Sequence, residues 1–148
     1  MNVLCNNKKA GFKYSFLKKI EAGLVLSGWE VKSLKDGNGQ LSESYVTIIK
    51  NEIYLSNAHI KSLNSQDNSS PQNPVAKRKL LLNRKEINML QGEVSQNGLT
   101  IVPIKLYLKK GIIKIEIALC KGKKLHDKRM DQKNKDWQRQ KDRLIKLR

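Results

Sequence analysis

From Leu99 to Leu119 the chain reads LTIVPIKLYLKKGIIKIEIAL, two runs in which apolar and polar residues alternate on either side of Lys110-Gly111. A period of two excludes an amphipathic helix and specifies strands with one buried face. The glycine supplies the positive φ that a tight connection needs, so the stretch predicts a hairpin. Ile104, Leu106 and Leu108 are expected to face Ile113, Ile115, Ile117 and Leu119. Pro103 has no N–H to give a ladder, which places that end at an edge or a bulge.

The remaining segments are consistent with one sheet and a few helices. Residues 2–13 are polar and basic and read as a loose arm, and 14–26 as a strand with Tyr14, Phe16, Ile20, Leu24 and Leu26 on alternate positions and a bend at Ala22-Gly23. Ser27 and Glu30 have the S-x-x-E spacing of a capping box, and Gly37 suits a left-handed cap, so 28–36 is expected to be a short helix with Val31 and Leu34 inward. Residues 41–49 and 53–60 form a hairpin about Lys50-Asn51-Glu52. The segment 61–79, containing SLNSQDNSSPQNPVAKRK, is nearly devoid of apolar residues and reads as a mobile loop. Asn83 and Glu86 repeat the capping spacing before Ile87, Leu90 and Val94, and Asn97-Gly98 closes that helix. The order implies a mainly β domain with flanking helices (α+β), an OB-like Greek-key barrel over 1–120. Tyr45, Tyr54 and Tyr107 are expected to pack on strands and Trp29 to anchor a helix.

Beyond the barrel the composition changes. Residues 121–148 hold twelve Lys or Arg against four Asp, and four of the six Arg in the chain. The whole 148-residue chain carries a formal charge of +17 and a pI near 10. Such a tail suits a polyanion, because neutralising phosphates releases condensed counterions; a solvated Lys-rich face is the plainer reading of the same run. Met130, Trp137 and Leu144 recur every seven residues without Gly or Pro between them. One narrow stripe cannot offset an ordering cost of ~1–2 kcal/mol per residue. The tail is therefore expected to be disordered when free and helical on a polyanionic surface.

Catalytic patterns are lacking: there is no H-x-x-x-H, no Cys pair, no acidic cluster, no G-x-S-x-G elbow and no G-x-x-x-x-G-K loop, so neither an enzyme nor a metal or cofactor is expected. Cys5 and Cys120 read as unpaired thiols in a reducing cytoplasm. No signal peptide and no apolar run of ~18 residues is visible, so no membrane is expected. The eight aromatics are few for an open stacking platform and the K/R-G-F/Y-x-F motif is absent, which favours phosphate and shape contacts to a structured RNA over readout of a single strand.

Five stretches in order, EAGLVLSGWEVKSLKDG, LSESYV, RKLLLNRKEI, IVPIKLYLKKGIIKIEI and AxxKGKKxHDKR, resemble the SsrA-binding, or small protein B, family over residues 7 to the end. The resemblance implies an OB-type barrel in a bacterial cytoplasmic protein that acts as a monomer. It further implies binding to the tRNA-like domain of transfer-messenger RNA, together with elongation factor Tu, and delivery to stalled ribosomes for tagging of incomplete peptides. A structural ribosomal protein with a basic tail in rRNA is the competing reading of the composition.

By the same resemblance Asn7, Lys8, Glu21, Leu81 and Lys114 would contact the RNA, joined by Lys121, Lys123 and Lys124. His126, Asp127, Lys128, Arg129 and Trp137 would reach the decoding centre and the mRNA channel of the small subunit. Glu21 could accept from a guanine edge or a 2′-hydroxyl, or could pair with Lys18 or Lys19. Leu81 could touch RNA or sit in the core, and His126 could be an ordinary linker histidine. The chain departs from the family at Gly11-Phe12-Lys13, where an Arg and a His are usual, and in DGNGQLSES, which lacks a Lys.

Overall fold

The computed structural model describes residues 2–62 and 73–122. Among these residues nine strands and three helices follow one another as β1 (Asn2–Asn6), α1 (Ala10–Lys13), β2 (Tyr14–Leu24), α2 (Gly28–Lys35), β3 (Gly39–Gln40), β4 (Tyr45–Ile49), β5 (Glu52–Ser56), β6 (His59–Ile60), β7 (Arg78–Leu81), α3 (Arg84–Asn97), β8 (Thr100–Lys109) and β9 (Ile112–Gly122). Seven strands form one antiparallel sheet in the order β1-β8-β9-β2-β7-β5-β4, and β3 pairs with β6 beside it. The mainly β architecture with flanking helices is as expected. The sheet curls until β4 and β8 approach within 8 Å between Cα atoms, but no ladder joins them among the described residues, so the barrel is not closed.

The second hairpin sets the core. Lys110 and Gly111 take φ of 50° and 78°, the left-handed pair that matches the strand twist, and Ile113, Ile115 and Ile117 are buried beneath β8. Each fully buried Leu or Ile contributes about 1.5–3 kcal/mol, so this cluster, with Leu106, Leu80, Leu90 and Ile53, dominates stability. Lys50 and Asn51 form a turn of the same kind, and Glu52 already pairs with Ile49.

Two of the three long strands, β8 and β2, change faces at bulges, which strict alternation does not reveal. In β8 the register shifts between Pro103 and Lys105, the bulge expected of the proline, although this strand is interior rather than an edge. In β2 it shifts between Phe16 and Lys18, leaving Leu17 58% exposed. An extra residue reverses the side-chain parity. Ile104 and Phe16 therefore leave the main core and pack with Ala10, Val102, Ala118 and Cys120 under α1, whereas Ile20 and Leu106 belong to the main cluster.

Several expectations require correction. Residues 2–13 are not a loose arm: β1 pairs with β8, burying Cys5, and α1 buries Ala10. At Gly23 the strand continues without a break, because the glycine admits β7. A Cβ there would lie 3.2 Å from that of Leu81. The polar segment 61–79 is structured at its end, since Arg78 and Lys79 belong to β7, while residues 63–72 lie outside the described part. Val94 and Tyr45 are exposed rather than packed, whereas Trp29, half-buried against the core, and the buried Tyr107 are as expected.

Both helix starts behave as the capping spacing predicts. The Glu30 carboxylate accepts from the Ser27 N–H at 2.9 Å, and Asn83 Oδ1 accepts from the Glu86 N–H at 2.8 Å. Gly98 ends α3 at φ 64°. Glu30 has a second role. Its other oxygen accepts from Arg78 Nε, with side-chain exposures of 7% and 2%, and Arg78 also donates to the Ala58 carbonyl at 2.6 Å and the Pro74 carbonyl at 3.1 Å. This hydrogen-bonded pair ties α2, the turn before β6 and the start of β7 together.

Candidate nucleic-acid interface

At one end of the sheet β2, β7 and β9 lie side by side, with Gly23 opposite Leu81 on one flank and Lys114 on the other. A groove of about 430 Å³ opens there, lined by Glu21, Gly23, Leu81 and Lys114 with Asn83 and Glu86 from the start of α3. Three residues from separate sequence motifs thus meet on one surface. Leu81 is 53% exposed, so its side chain belongs to this surface and not to the core. The wall is mixed in charge: Lys79 and Lys114 present cations, while Glu52 is occupied by Arg84 at 3.0 Å and Lys79 at 3.6 Å.

Glu21 pairs with neither Lys18 nor Lys19. Its partners come from β8: the Tyr107 hydroxyl donates to Oε2, and Lys109 Nζ lies 3.3 Å from the same atom. The Tyr107 hydrogen bond, followed by Lys109, holds the carboxyl below the ordinary glutamate range, so it stays ionised and acts only as an acceptor. Burial, then the bond to Glu21, pushes the Tyr107 phenol well above its usual value, and it remains a donor. Lys19 instead reaches Glu116 at 4.0 Å. Tyr107 and Lys109 were not legible as site residues; they signalled only a strand, and their relation to Glu21 appears once three strands are aligned.

Asn7 and Lys8 fall elsewhere. Asn7 donates to the Pro103 carbonyl at 2.9 Å, fastening the turn after β1 to the β8 bulge, and its Oδ1 is buried without a hydrogen-bond partner. Its own cavity is lined by Lys9, Lys13 and Tyr45, and shares no residue with the Glu21 groove. Lys8 is exposed, as is Lys121, which pairs with Ser15 near the end of β9. Gly11, Phe12 and Lys13, where the chain departs from the family, form the exposed part of α1. Lys123, Lys124, His126, Asp127, Lys128, Arg129 and Trp137 lie outside the described residues. Among the described residues no helix is long and apolar enough to cross a membrane, and no three His, Cys, Asp or Glu could hold a metal ion.

The family model for the SmpB protein matches residues 4–147. The chain belongs to this family. An SsrA-binding protein of Ruthia magnifica subsp. Calyptogena magnifica is 50% identical over 99% of this chain and 88% of its own length. One of Burkholderia lata is 48% identical over 97% of both. Among solved structures, a chain described as "tmRNA-SmpB: a journey to the center of the bacterial ribosome" is similar at a TM-score of 0.65 and 38% identity, covering 81% of this chain and 84% of that one.

Proposed function

We propose that this protein binds the tRNA-like domain of transfer-messenger RNA and acts as the adaptor that brings it to stalled ribosomes for tagging of incomplete peptides. The observation that carries this reading is the groove where Glu21, Leu81 and Lys114 converge, in a family whose members are SsrA-binding proteins. Lys114 meets phosphate, Leu81 packs on a base or ribose, and the Glu21 carboxylate accepts from a base N–H or a 2′-hydroxyl. Asn7 and Lys8, with Lys121, Lys123 and Lys124, form a second region of contact along the RNA. The tail after Gly122 enters the mRNA channel and folds there, with His126, Asp127, Lys128 and Arg129 at the decoding centre and Trp137 further along. The protein works by binding rather than by turnover, in the cytoplasm, as a monomer in complex with the RNA, the ribosome and elongation factor Tu.

Sequencing the RNA retained on the purified protein tests this reading. One abundant species with a tRNA-like end is expected; stoichiometric rRNA from mature subunits would instead identify a structural ribosomal protein.

A further inference from the structure

The Glu21 side chain is 41% exposed, yet its carboxylate has two partners. Two donors on β8 grip it across the intervening strand β9: Tyr107, whose ring is 2% exposed and fixed by packing, and Lys109. Ladder pairing sets the strand register without either contact, since Glu21 lies opposite Glu116 on β9 and Lys114 lies opposite Tyr107 on β8. The grip therefore acts on the side chain rather than on the sheet.

We infer that Tyr107 and Lys109 are positioning residues for RNA recognition, holding the Glu21 carboxylate in one orientation at the groove wall so that this subsite takes a hydrogen-bond donor of the RNA, a base N–H or a 2′-hydroxyl, and rejects a phosphate oxygen. The inference rests on the RNA occupying the Glu21 groove. An acceptor-only group repels phosphate at contact distance, while Lys114 on the same wall attracts it, so the two side chains sort the polar edge of a nucleotide from its backbone and set its orientation. Holding the carboxylate in place before binding removes the ordering cost that a loose glutamate would incur in the complex. The groups around Glu21 are of both signs, and Tyr107, Lys109 and Lys114 are the ones that favour its charge. Lys114 and Glu116 face Glu21 from β9, Tyr107 and Lys109 from β8, and Lys79, Glu52 and Glu86 line the far side of the groove from β7, β5 and α3. The Tyr107 bond is the largest influence on the depressed Glu21 titration.

The test uses the full chain, the isolated tRNA-like domain and four proteins: wild type, Tyr107→Phe, Glu21→Ala and the double variant. Phenylalanine keeps the packed ring and removes one hydroxyl. Tyr107→Phe is expected to weaken binding by about fivefold to tenfold, less than the full worth of a hydrogen bond to a charged group, because Lys109 still holds the carboxylate. It should also raise the Glu21 titration midpoint, followed by NMR of the side-chain carboxyl in the free protein, and should have little further effect once Glu21 is alanine. The midpoint reports that the bond to Glu21 exists in the free protein, while the non-additivity with Glu21→Ala reports that Tyr107 acts on the RNA through Glu21, which a merely structural role would not produce. Lys109→Met, at an exposed position, repeats the cycle should the phenylalanine variant fold poorly. Wild-type binding with undiminished affinity in Tyr107→Phe, or an equal loss in the Glu21→Ala background, overturns the inference. Failure of the wild type to bind this RNA overturns the proposed function itself.

Discussion

Arg78 and Glu30 meet with almost no access to water, the most buried ion pair among the described residues. Arg78→Met leaves a buried carboxylate with only the Ser27 N–H beside it, and urea unfolding is expected to show a loss of about 3–5 kcal/mol. An arginine in a polar stretch gave no sign of this, because its partner lies 48 residues earlier and had a sufficient role as a helix cap. Glu21 was different: its position in the EAG motif marked it for the surface, and only its partners were hidden. Lys114→Glu is expected to weaken RNA binding about tenfold more than Lys114→Ala, since it places repulsion against phosphate instead of merely removing a cation. Equal effects in a filter-binding assay would mean that Lys114 makes no phosphate contact. Burial pushes the Cys120 thiol up to about 11 and raises Cys5 as well. At pH 8 neither carries much thiolate, so iodoacetamide is expected to modify both only after unfolding, as mass spectrometry would show.

At the level of elements, what could be read depended on whether an element is determined locally. Turns and caps are local, so Lys110-Gly111, Lys50-Asn51, Ser27 with Glu30 and Asn83 with Glu86 all announced themselves. The strands β1, β3 and β7 have two to five residues each and owe their conformation to partners distant in the chain, so no pattern marked them, and the stretch 53–60, expected as one strand, divides into β5 and β6. The bulges at Leu17 and Ile104 defeat strict alternation for the same reason: which face a residue takes beyond a bulge is decided by what covers it, here α1. The start of α3 contributes to the groove as well as to the fold. Asn83→Ala removes the cap on the Glu86 N–H and is expected to cost about 1 kcal/mol in thermal or urea unfolding. Because Glu86 lines the same groove, a modest loss of RNA affinity should accompany it.

For the molecule as a whole, charge and core are partitioned along the chain. The buried apolar cluster runs from Cys5 to Leu119, and the Glu21 groove is complete before Cys120, whereas residues 121–148 carry twelve of the 30 Lys and Arg. The proposed RNA site needs no aromatic platform: three antiparallel strands and a helix start supply a shaped, mixed-charge groove, and the remaining surface charge adds attraction that salt will screen. The OB-like reading captured the strand-rich layout and the place of α3, and missed that the ladder stays open between β4 and β8, since closure depends on distances no sequence pattern encodes. The central claim is that the sheet end, not the tail, recognises the RNA. Its most direct test is the affinity of the full chain and of a chain ending at Gly122 for the tRNA-like domain, measured across salt concentrations. The account predicts affinities within about threefold at high salt and a shallower salt slope for the shorter chain; loss of specific binding on truncation would contradict it.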